Sequence, residues 1–276
     1  MRTPITYYGG KQKMAKRIVG IIPPHKIYCE PYFGGGAVFF EKEPSYLEVI
    51  NDNNQKLINF FLQMRDNFEE LQELIETTLH SEFLYRKAKD IYCGRIEFTD
   101  VQLAWSVWIT TNMSFSGSIH GGWKWCNGTA GSHSGRYMNG RKIEFQLLNN
   151  RLKNIQISSR EALRVIKDRD TKETVFYLDP PYPGFYQGHY KGFTMLDFFR
   201  LLEFISDIKG KFILSNYWSQ TLKYFILKNN WKFESHKINI KVANRIKNNY
   251  RTEILVYNFV PERNNKEYQL HLEYKN

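Results

Sequence analysis

The sequence predicts an α/β fold in which a largely parallel sheet is covered by helices on both faces. Short apolar segments alternate with longer segments of helical period along most of the chain, and this alternation is typical of parallel sheets. Two regions interrupt the alternation: residues 56–150, and a C-terminal part in which two longer apolar segments follow each other. We therefore expect one main domain with an insertion and an antiparallel sheet edge.

The individual elements follow from the apolar pattern. Five short segments bounded by turn residues are the predicted parallel strands: 27–31, 46–50, 155–157, 174–178 and 211–214. The predicted helices lie at 54–79, 81–92, 99–112, 160–168, 195–208 and 218–228, and Thr99 or Asp100 is a suitable cap for the third. Residues 231–241 and 252–260 are two longer predicted strands joined by a basic, Asn-rich loop, which indicates an antiparallel hairpin.

The interruption at 56–150 is predicted to be an inserted domain, so that 1–55 and 151–276 form the main domain. It begins with helical segments and becomes rich in Gly, Ser and Trp over 115–139, and long irregular segments in compact proteins are usually functional or disordered. Four of the six tryptophans lie in the insertion: Trp105, Trp108, Trp123 and Trp125. The first two, at helical spacing, suit a core, whereas the other two lie in the Gly-rich stretch and suit a binding surface.

The chain is basic, with 39 Lys and Arg against 28 Asp and Glu and a net charge of +11 over 276 residues. No acidic residue precedes Glu30, and two further basic stretches lie at 136–153 and 237–251. Nucleic acid is the polyanion that such patches most often bind. A basic surface that serves only solubility is the alternative that charge alone leaves open.

Other classes of protein are excluded by composition. No apolar run reaches the roughly 20 residues of a membrane span, and the first residues lack the apolar stretch of a signal peptide. The three cysteines, Cys29, Cys93 and Cys126, have neither the number of a disulfide framework nor the spacing of a zinc site. We expect a cytoplasmic protein without a metal site.

The strongest local signal is the turn Asp179-Pro180-Pro181-Tyr182, directly after the predicted strand 174–178. Ligands of open parallel sheets bind beyond the carboxyl ends of strands. The prolines stiffen the backbone and remove amide donors, so that carbonyl groups and the carboxylate of Asp179 can accept hydrogen bonds, while Tyr182 offers a face for a planar base. This Asp-Pro-Pro-Tyr turn can hold an exocyclic amino group; an ordinary proline turn is the alternative.

Two further motifs indicate a nucleoside-bearing cofactor. The glycine turn, Glu30-Pro31-Tyr32-Phe33-Gly34-Gly35-Gly36, follows the first predicted strand, and the next strand ends at Asn51-Asp52. An acid at the end of the second strand commonly holds ribose hydroxyls in such folds, although Asp52 can instead be a helix cap.

The third motif is the N-terminal turn, Tyr7-Tyr8-Gly9-Gly10-Lys11. Lys11 can neutralise a carboxylate, and Tyr7 can line an adenine or sulfonium site. A plain turn with a surface lysine is the alternative.

These motifs, in this order over residues 3–258, resemble the Dam-type (D12 class, alpha group) DNA adenine methyltransferases of bacteria and phages. The resemblance implies a Rossmann-like S-adenosylmethionine-dependent methyltransferase fold, with a target-recognition domain inserted between the ribose-binding acid and the Asp-Pro-Pro-Tyr turn, as 56–150 is here. It implies methyl transfer from S-adenosylmethionine to the 6-amino group of adenine in double-stranded DNA, with base flipping, S-adenosylhomocysteine as product and no metal. A nucleoid-associated monomer or weak dimer in a bacterial or phage-infected cell is expected.

The resemblance also assigns residues. Catalysis is assigned to Asp179, Pro180, Pro181 and Tyr182. Cofactor binding is assigned to Tyr7, Gly9, Lys11, Glu30, Pro31, Phe33, Gly34, Gly36, Asp52 and Asp179. DNA contacts are expected at Ser116, His120, Trp123, Lys124, Arg136, Arg245 and Lys247. The stretch 115–123 replaces the Phe-Asn-Gly of cellular Dam enzymes and is similar to a phage-type branch.

Three alternatives stay open at this point. The same turn can serve an adenine amino-methyltransferase that acts on RNA, and the fold can also belong to a catalytically silent DNA-binding relative. A cytosine amino-methyltransferase is less favoured, because those enzymes more often carry Ser-Pro-Pro-Tyr. A role in restriction-modification, in phage protection or as a solitary enzyme is not distinguished by the sequence.

Overall fold

The computed structural model describes residues 1–7, 9–117, 121–126, 145–184, 192–239 and 250–261, together with Gly135, Gly140 and Lys142. Among these residues a seven-stranded sheet has the strand order β3-β2-β1-β4-β5-β7-β6. The strands are β1 (Ile27–Glu30), β2 (Leu47–Asn51), β3 (Gln156–Ser158), β4 (Thr174–Leu178), β5 (Lys211–Tyr217), β6 (Lys232–Asn239) and β7 (Tyr250–Tyr257).

The sheet is parallel from β3 to β5 and antiparallel beyond it. β1 pairs with β2 and β4, β2 with β3, and β4 with β5, all in parallel. β7 pairs antiparallel with both β5 and β6, so that the hairpin of β6 and β7 forms one edge. The α/β class and the antiparallel edge are confirmed, and the carboxyl ends of β1, β2, β4 and β5 lie along one side of the sheet.

The described helices of four or more residues are α1 (Ala15–Val19), α2 (Gln55–Asp66), α3 (Phe68–Thr77), α4 (Glu82–Tyr92), α5 (Asp100–Asn112), α6 (Phe145–Leu152), α7 (Ala162–Arg169), α8 (Met195–Ile205) and α9 (Gln220–Asn229). None of them is long and apolar enough to cross a membrane. Thr99 caps α5 in a capping box with Gln102, and a short 3₁₀ turn follows at Phe115–Gly117.

One helix prediction was wrong, and α6 was not predicted. The segment predicted as one helix at 54–79 is two helices, because the chain bends at Asn67, which leaves the helical conformation. The side chain of Asn54 accepts from the amides of Lys56 and Leu57, so Asn54 is the cap of α2. The helix-cap role considered for Asp52 is therefore wrong.

No helix was predicted at α6, which follows the Gly-, Ser- and Trp-rich stretch 115–139. Its buried residues recur at helical spacing: Phe145, Leu148, Asn149 and Leu152. The periodic signal was present but short, and polar neighbours obscured it.

Two apolar clusters cover the faces of the sheet. Side chains alternate along β4, so that Val175 and Tyr177 belong to the first cluster while Phe176 and Leu178 belong to the second. The first cluster continues into α2–α5 and includes Trp108, which has no exposed surface. Trp105 is also buried and donates its indole N–H to Thr78 Oγ1 at 2.7 Å. Both tryptophans are therefore core residues, as their spacing predicted.

A buried ion cluster connects α6 to β2. The carboxylate of Glu48 accepts from Lys42 Nζ at 2.5 Å and from Arg151 Nη2 at 2.7 Å, and the guanidinium of Arg151 lies 3.8 Å from the ring centroid of Phe39. The first apolar cluster crosses the predicted boundary at 150, whereas the ion cluster lies within the predicted main domain, since it consists of Lys42, Glu48 and Arg151. The division into 1–55 with 151–276 and 56–150 stays a prediction about units of function.

Candidate active site

The Asp-Pro-Pro-Tyr turn begins directly after β4 at the carboxyl side of the sheet. Leu178, the last residue of β4, lies beside Leu214 of β5, and Tyr217 at the end of β5 lies opposite Glu253 of β7. The turn therefore begins next to the end of β5 and the start of the apolar part of β7. This register brings side chains from distant parts of the chain to one place.

Lys11 joins the N-terminal turn to this place. Its ammonium Nζ lies 2.9 Å from Asp179 Oδ1 and 3.3 Å from Glu253 Oε1, and it also donates to the carbonyl of Gly9 at 3.1 Å. The residue is only 8% exposed. Burial opposes the positive charge of Lys11, but the two carboxylates outweigh burial and raise its pKa. Lys11 is thus a buried cation held between two acids, as its predicted role of neutralising a carboxylate requires.

Tyr182 bridges the same two acids. Its hydroxyl lies 3.2 Å from Asp179 Oδ1 and 3.1 Å from Glu253 Oε1. Its ring packs edge-on against Tyr217, with 4.6 Å between the centroids, and Lys11 Nζ lies 5.0 Å from the Tyr182 centroid. Burial, reinforced by the charges of Asp179 and Glu253, raises the pKa of Tyr182 well above its usual value. The phenol therefore stays protonated and acts as a donor.

The four side chains form one charged cluster: Lys11, Asp179, Tyr182 and Glu253. Burial raises the pKa of Asp179 to about 6; Lys11 lowers that pKa, and Glu253 raises it again. With both acids ionised, two negative charges face one ammonium. The cluster then carries one net negative charge, which suits a cationic ligand or an incoming hydrogen-bond donor.

The glycine turn is tied to the end of β2. Asp52 accepts from the amide of Gly34 at 2.9 Å through Oδ2 and from the amide of Asn54 at 2.9 Å through Oδ1. Gly36 has φ +70°, and a Cβ there would lie 2.5 Å from the Phe33 ring. The close approach of Phe33 and the positive φ thus require glycine at position 36.

Three residues of the glycine turn that were predicted to bind a cofactor have contacts within the protein. Glu30 is 1% exposed and accepts from the Tyr28 hydroxyl at 2.6 Å; burial raises the pKa of Glu30 to about 8. The carbonyl of Pro31 accepts from Nδ2 of the Asn51 side chain at 3.0 Å. Phe33 is 3% exposed and belongs to the first apolar cluster. Their assignment to the cofactor stays a prediction.

The N-terminal turn packs against the glycine turn. Tyr7 accepts from the amide of Gly10 at 3.0 Å through its carbonyl, and a Cβ on Gly35 would lie 3.0 Å from the Cβ of Tyr7. Gly9 has φ +75° and open space where a Cβ would be. The structure therefore brings together the three motifs that the sequence predicted to share a site.

Part of the predicted DNA surface is described. Ser114 and Trp123 form an isolated antiparallel bridge, and the amide of Lys124 donates to Met113 at 2.7 Å. Trp123 is half-buried against the first apolar cluster, with its ring 5.2 Å from His80, whereas Trp125 is 58% exposed. The predicted contacts outside the described residues are His120, Arg136, Arg245, Lys247 and the side chain of Ser116.

Glu253 is the site residue that sequence reasoning missed. The segment 252–260 was predicted to be a strand of the hairpin, but the acid was given no role. Glu253 is 4% exposed and precedes a run of buried apolar residues, 254–257. A charged residue inside an otherwise apolar strand is rarely buried without a partner, and that was the available signal.

The described residues contain no group of three His, Cys, Asp or Glu side chains that could hold a metal ion.

The chain is similar to one protein-family model, one known methyltransferase and one solved structure. A family model described as "D12 class N6 adenine-specific DNA methyltransferase" matches residues 7–243. The Type II methyltransferase M1.LlaDCHI of Lactococcus lactis subsp. cremoris is 31% identical over 279 residues, covering 91% of this chain and 93% of the relative. A solved structure described as precorrin 8W decarboxylase from Methanobacterium thermoautotrophicum shares 9% identity over 90% of each chain, with a TM-score of 0.40. That last likeness is too distant to support an argument.

Proposed function

Because the chain belongs to the D12 class of N6 adenine-specific DNA methyltransferases, we propose that it transfers the methyl group of S-adenosylmethionine to the 6-amino group of adenine at the Asp-Pro-Pro-Tyr turn. The family establishes DNA adenine methylation as the activity. One observation carries the proposed site: Asp179, at the carboxyl end of β4, lies in a buried cluster that carries excess negative charge and also contains Lys11 and Tyr182. The cluster can accept hydrogen bonds from an amino group.

The residues around the cluster fit the proposed methyl donor. S-adenosylmethionine supplies an electrophilic methyl group on a positively charged sulfur. The net negative charge of the cluster suits that cation, and Gly9, with open space in place of a Cβ, permits close backbone approach. Asp52, which accepts from the amide of Gly34, is the proposed ribose-binding acid. S-adenosylhomocysteine, the product, lacks the positive charge and would bind this cluster less favourably.

The part of the site that is proposed to hold the target base must activate a weak nucleophile. The lone pair of the adenine 6-amino group is delocalised into the ring, so the site must draw that nitrogen toward tetrahedral geometry. Asp179 and the carbonyl of Pro180 would accept one amino hydrogen each, and the Tyr182 ring would stack on the base.

The bonding changes balance without a metal. The nitrogen forms a bond to the methyl carbon, the carbon–sulfur bond breaks with its electron pair staying on sulfur, and the nitrogen loses one proton. Asp179 is the proposed acceptor of that proton, because its pKa of about 6 lies close to neutral pH.

The target base must leave the duplex to reach this turn. Base flipping costs a few kcal/mol, because the base loses its stacking and its pairing in the duplex. Stacking on Tyr182 and phosphate contacts by the basic stretches of the chain would offset that cost. Double-stranded DNA is therefore the proposed substrate.

Two alternatives remain to be tested beside this function. The Asp-Pro-Pro-Tyr turn can accept adenine in RNA equally well, and a silent relative could keep the fold while only binding DNA. The second is disfavoured by the intact contacts among Lys11, Asp179 and Tyr182. The Type II name of the Lactococcus relative supports a role in restriction-modification. We further propose that the protein is a monomer or weak dimer in the cytoplasm.

The test is direct. The protein is incubated with labelled S-adenosylmethionine and adenine-containing duplex DNA, and the digested DNA is searched for 6-methyladenine by mass spectrometry, with RNA in parallel. Wild type should label DNA, and Asp179→Ala should reduce labelling by about 10²-fold or more. Asp168→Ala, which changes an exposed aspartate paired with Arg160, is the matched control and should keep full activity. Wild-type activity in Asp179→Ala would contradict the assigned role.

A further inference from the structure

Glu253 contacts the same two groups as Asp179 although it lies on a different strand. It is opposite Tyr217 in the antiparallel pairing of β5 and β7, and its Oε1 lies 3.3 Å from Lys11 Nζ and 3.1 Å from the Tyr182 hydroxyl. The proposed methyl transfer needs one carboxylate at the amino group, and Asp179 supplies it. The second carboxylate therefore requires its own explanation.

A count of protons shows what Glu253 can do. Lys11 has three ammonium protons and three acceptors: the carbonyl of Gly9, Asp179 and Glu253. Tyr182 has one hydroxyl proton and two acid oxygens within reach. Both donors reach Asp179 through the same oxygen, Oδ1, so a turn of that carboxylate toward an amino group weakens its contacts with both of them at once. Glu253 is the remaining acceptor that both donors already reach.

We propose that Glu253 is a positioning residue for the methyl transfer: it keeps the Lys11 ammonium and the Tyr182 hydroxyl bonded while Asp179 turns to the amino group of the target base. This inference rests on the proposed function. Glu253 then has two effects. Its oxygen fixes the plane of the Tyr182 ring through the hydroxyl, and its charge divides the attraction of Lys11 between two acids. Asp179 is then less tightly held and can engage the substrate.

A residue that only stabilised the fold would behave differently. Removing its charge would lower stability, but the reaction of the folded enzyme would keep its pH dependence. The acid limb of kcat is the pH range in which kcat rises as Asp179 ionises. The positioning role predicts that this limb moves, because the negative charge of Glu253 raises the pKa of Asp179. Without that charge the pKa of Asp179 falls, and the acid limb shifts to lower pH.

The decisive variant is Glu253→Gln, which keeps the size of the side chain and one acceptor oxygen but removes the charge. We expect kcat to fall about 10- to 100-fold, the acid limb of kcat to shift to lower pH, and KM for DNA and S-adenosylmethionine to change less than kcat does. Carbon-13 NMR titration of the Asp179 carboxyl in the free protein should show the same downward shift of its pKa, independently of activity.

The matched control is Glu48→Gln, because Glu48 is also a buried acid bonded to a lysine but belongs to the ion cluster at Lys42. It should lower stability and leave kcat and the acid limb of the folded enzyme unchanged. Tyr182→Phe, which removes only the hydroxyl, is the second probe if Glu253→Gln does not fold; it should also lower kcat about tenfold.

The outcomes are distinct. Wild-type kcat and an unmoved acid limb in folded Glu253→Gln overturn the inference, whether or not the NMR titration of Asp179 shifts. Should Glu253→Gln fail to fold, unchanged kcat in Tyr182→Phe overturns it. If wild type itself leaves adenine in DNA unmethylated, the proposed function fails instead.

Discussion

The ammonium of Lys11 lies 2.9 Å from Oδ1 of Asp179, so the N-terminal turn is bonded directly to the turn that follows β4. This contact links the part of the chain predicted to bind the cofactor with the part predicted to hold the target base. It also makes the protonation of Asp179 depend on a residue from another motif.

The first prediction concerns pH. Asp179 must be ionised to accept the proton of the amino group, and its pKa in the free protein is about 6, so kcat/KM should rise with pH through about 6. Lys11 lowers that pKa; in Lys11→Met the pKa of Asp179 should rise, the acid limb should move to higher pH, and kcat at neutral pH should fall at least about tenfold. Initial rates measured from pH 5 to about 9 test this against Lys13→Met.

Lys13 is exposed and lies two residues along the chain, so Lys13→Met removes one positive charge from the same segment without touching the cluster. Its acid limb should match wild type. An acid limb in Lys11→Met that moves to lower pH would contradict the assigned electrostatics.

The second prediction concerns cofactor binding. Asp52→Asn removes the charge from the acid that holds Gly34 and is proposed to bind ribose. A hydrogen bond to a charged group contributes about 1.5–3 kcal/mol, so the dissociation constant of S-adenosylmethionine should rise about 10- to 100-fold. Calorimetry measures it, and Asp66→Asn, at an exposed acid paired with Arg65, is the control. Unchanged affinity in Asp52→Asn would remove Asp52 from the cofactor site.

The third prediction separates strain from steric clash at the glycine turn. Gly36 and Gly94 both have positive φ, +70° and +68°. A Cβ at position 36 would lie 2.5 Å from the Phe33 ring, whereas a Cβ at position 94 would have no atom within 4 Å. Gly94→Ala should cost about 1–2 kcal/mol of unfolding free energy from the conformation alone. Gly36→Ala should cost about 1–3 kcal/mol more, because the ring must move. Urea unfolding measures both; equal destabilisation would mean that Phe33 yields freely.

The fourth prediction distinguishes the tryptophans of the insertion. Trp108 has no exposed surface, whereas Trp125 is 58% exposed. Trp108→Ala should therefore cost about 3–5 kcal/mol of stability. Trp125→Ala should leave stability within about 0.5 kcal/mol of wild type and weaken DNA binding, because stacking of a base on the indole would contribute about 1–3 kcal/mol. Full DNA affinity in Trp125→Ala would exclude this residue from the DNA surface.

The fifth prediction rests on sequence alone, because Arg245 and Lys247 lie outside the described residues. If both bind phosphates, the double change Arg245→Glu with Lys247→Glu should weaken DNA binding. The slope of log affinity against log salt should flatten by about 0.9 for each phosphate that the variant no longer neutralises. S-adenosylmethionine affinity should not change. Fluorescence anisotropy at several salt concentrations gives the slope, and a slope equal to that of wild type would place these residues away from DNA.

Much of the fold was readable from local patterns. The strand predicted at 174–178 has those bounds in β4, and the hairpin predicted at 231–241 and 252–260 is β6 and β7. The helix predicted at 54–79 failed because periodicity continues through Asn67 although the backbone bends there. A hydrophobic period indicates which face of a helix is buried, but it does not reveal a break in the helix at a single residue.

The sequence by itself determined the class of fold, the order of the motifs and the family, because strand alternation and the Asp-Pro-Pro-Tyr, glycine and N-terminal turns are local signals. Only the tertiary structure decided that Glu253 joins Lys11, Asp179 and Tyr182, that Asp52 holds Gly34, and that Phe33 is a core residue. The reason is physical: these contacts depend on the antiparallel register of β5 against β7 and on the packing of turns across the sheet edge. Such contacts join residues far apart in the chain, and no local pattern records them.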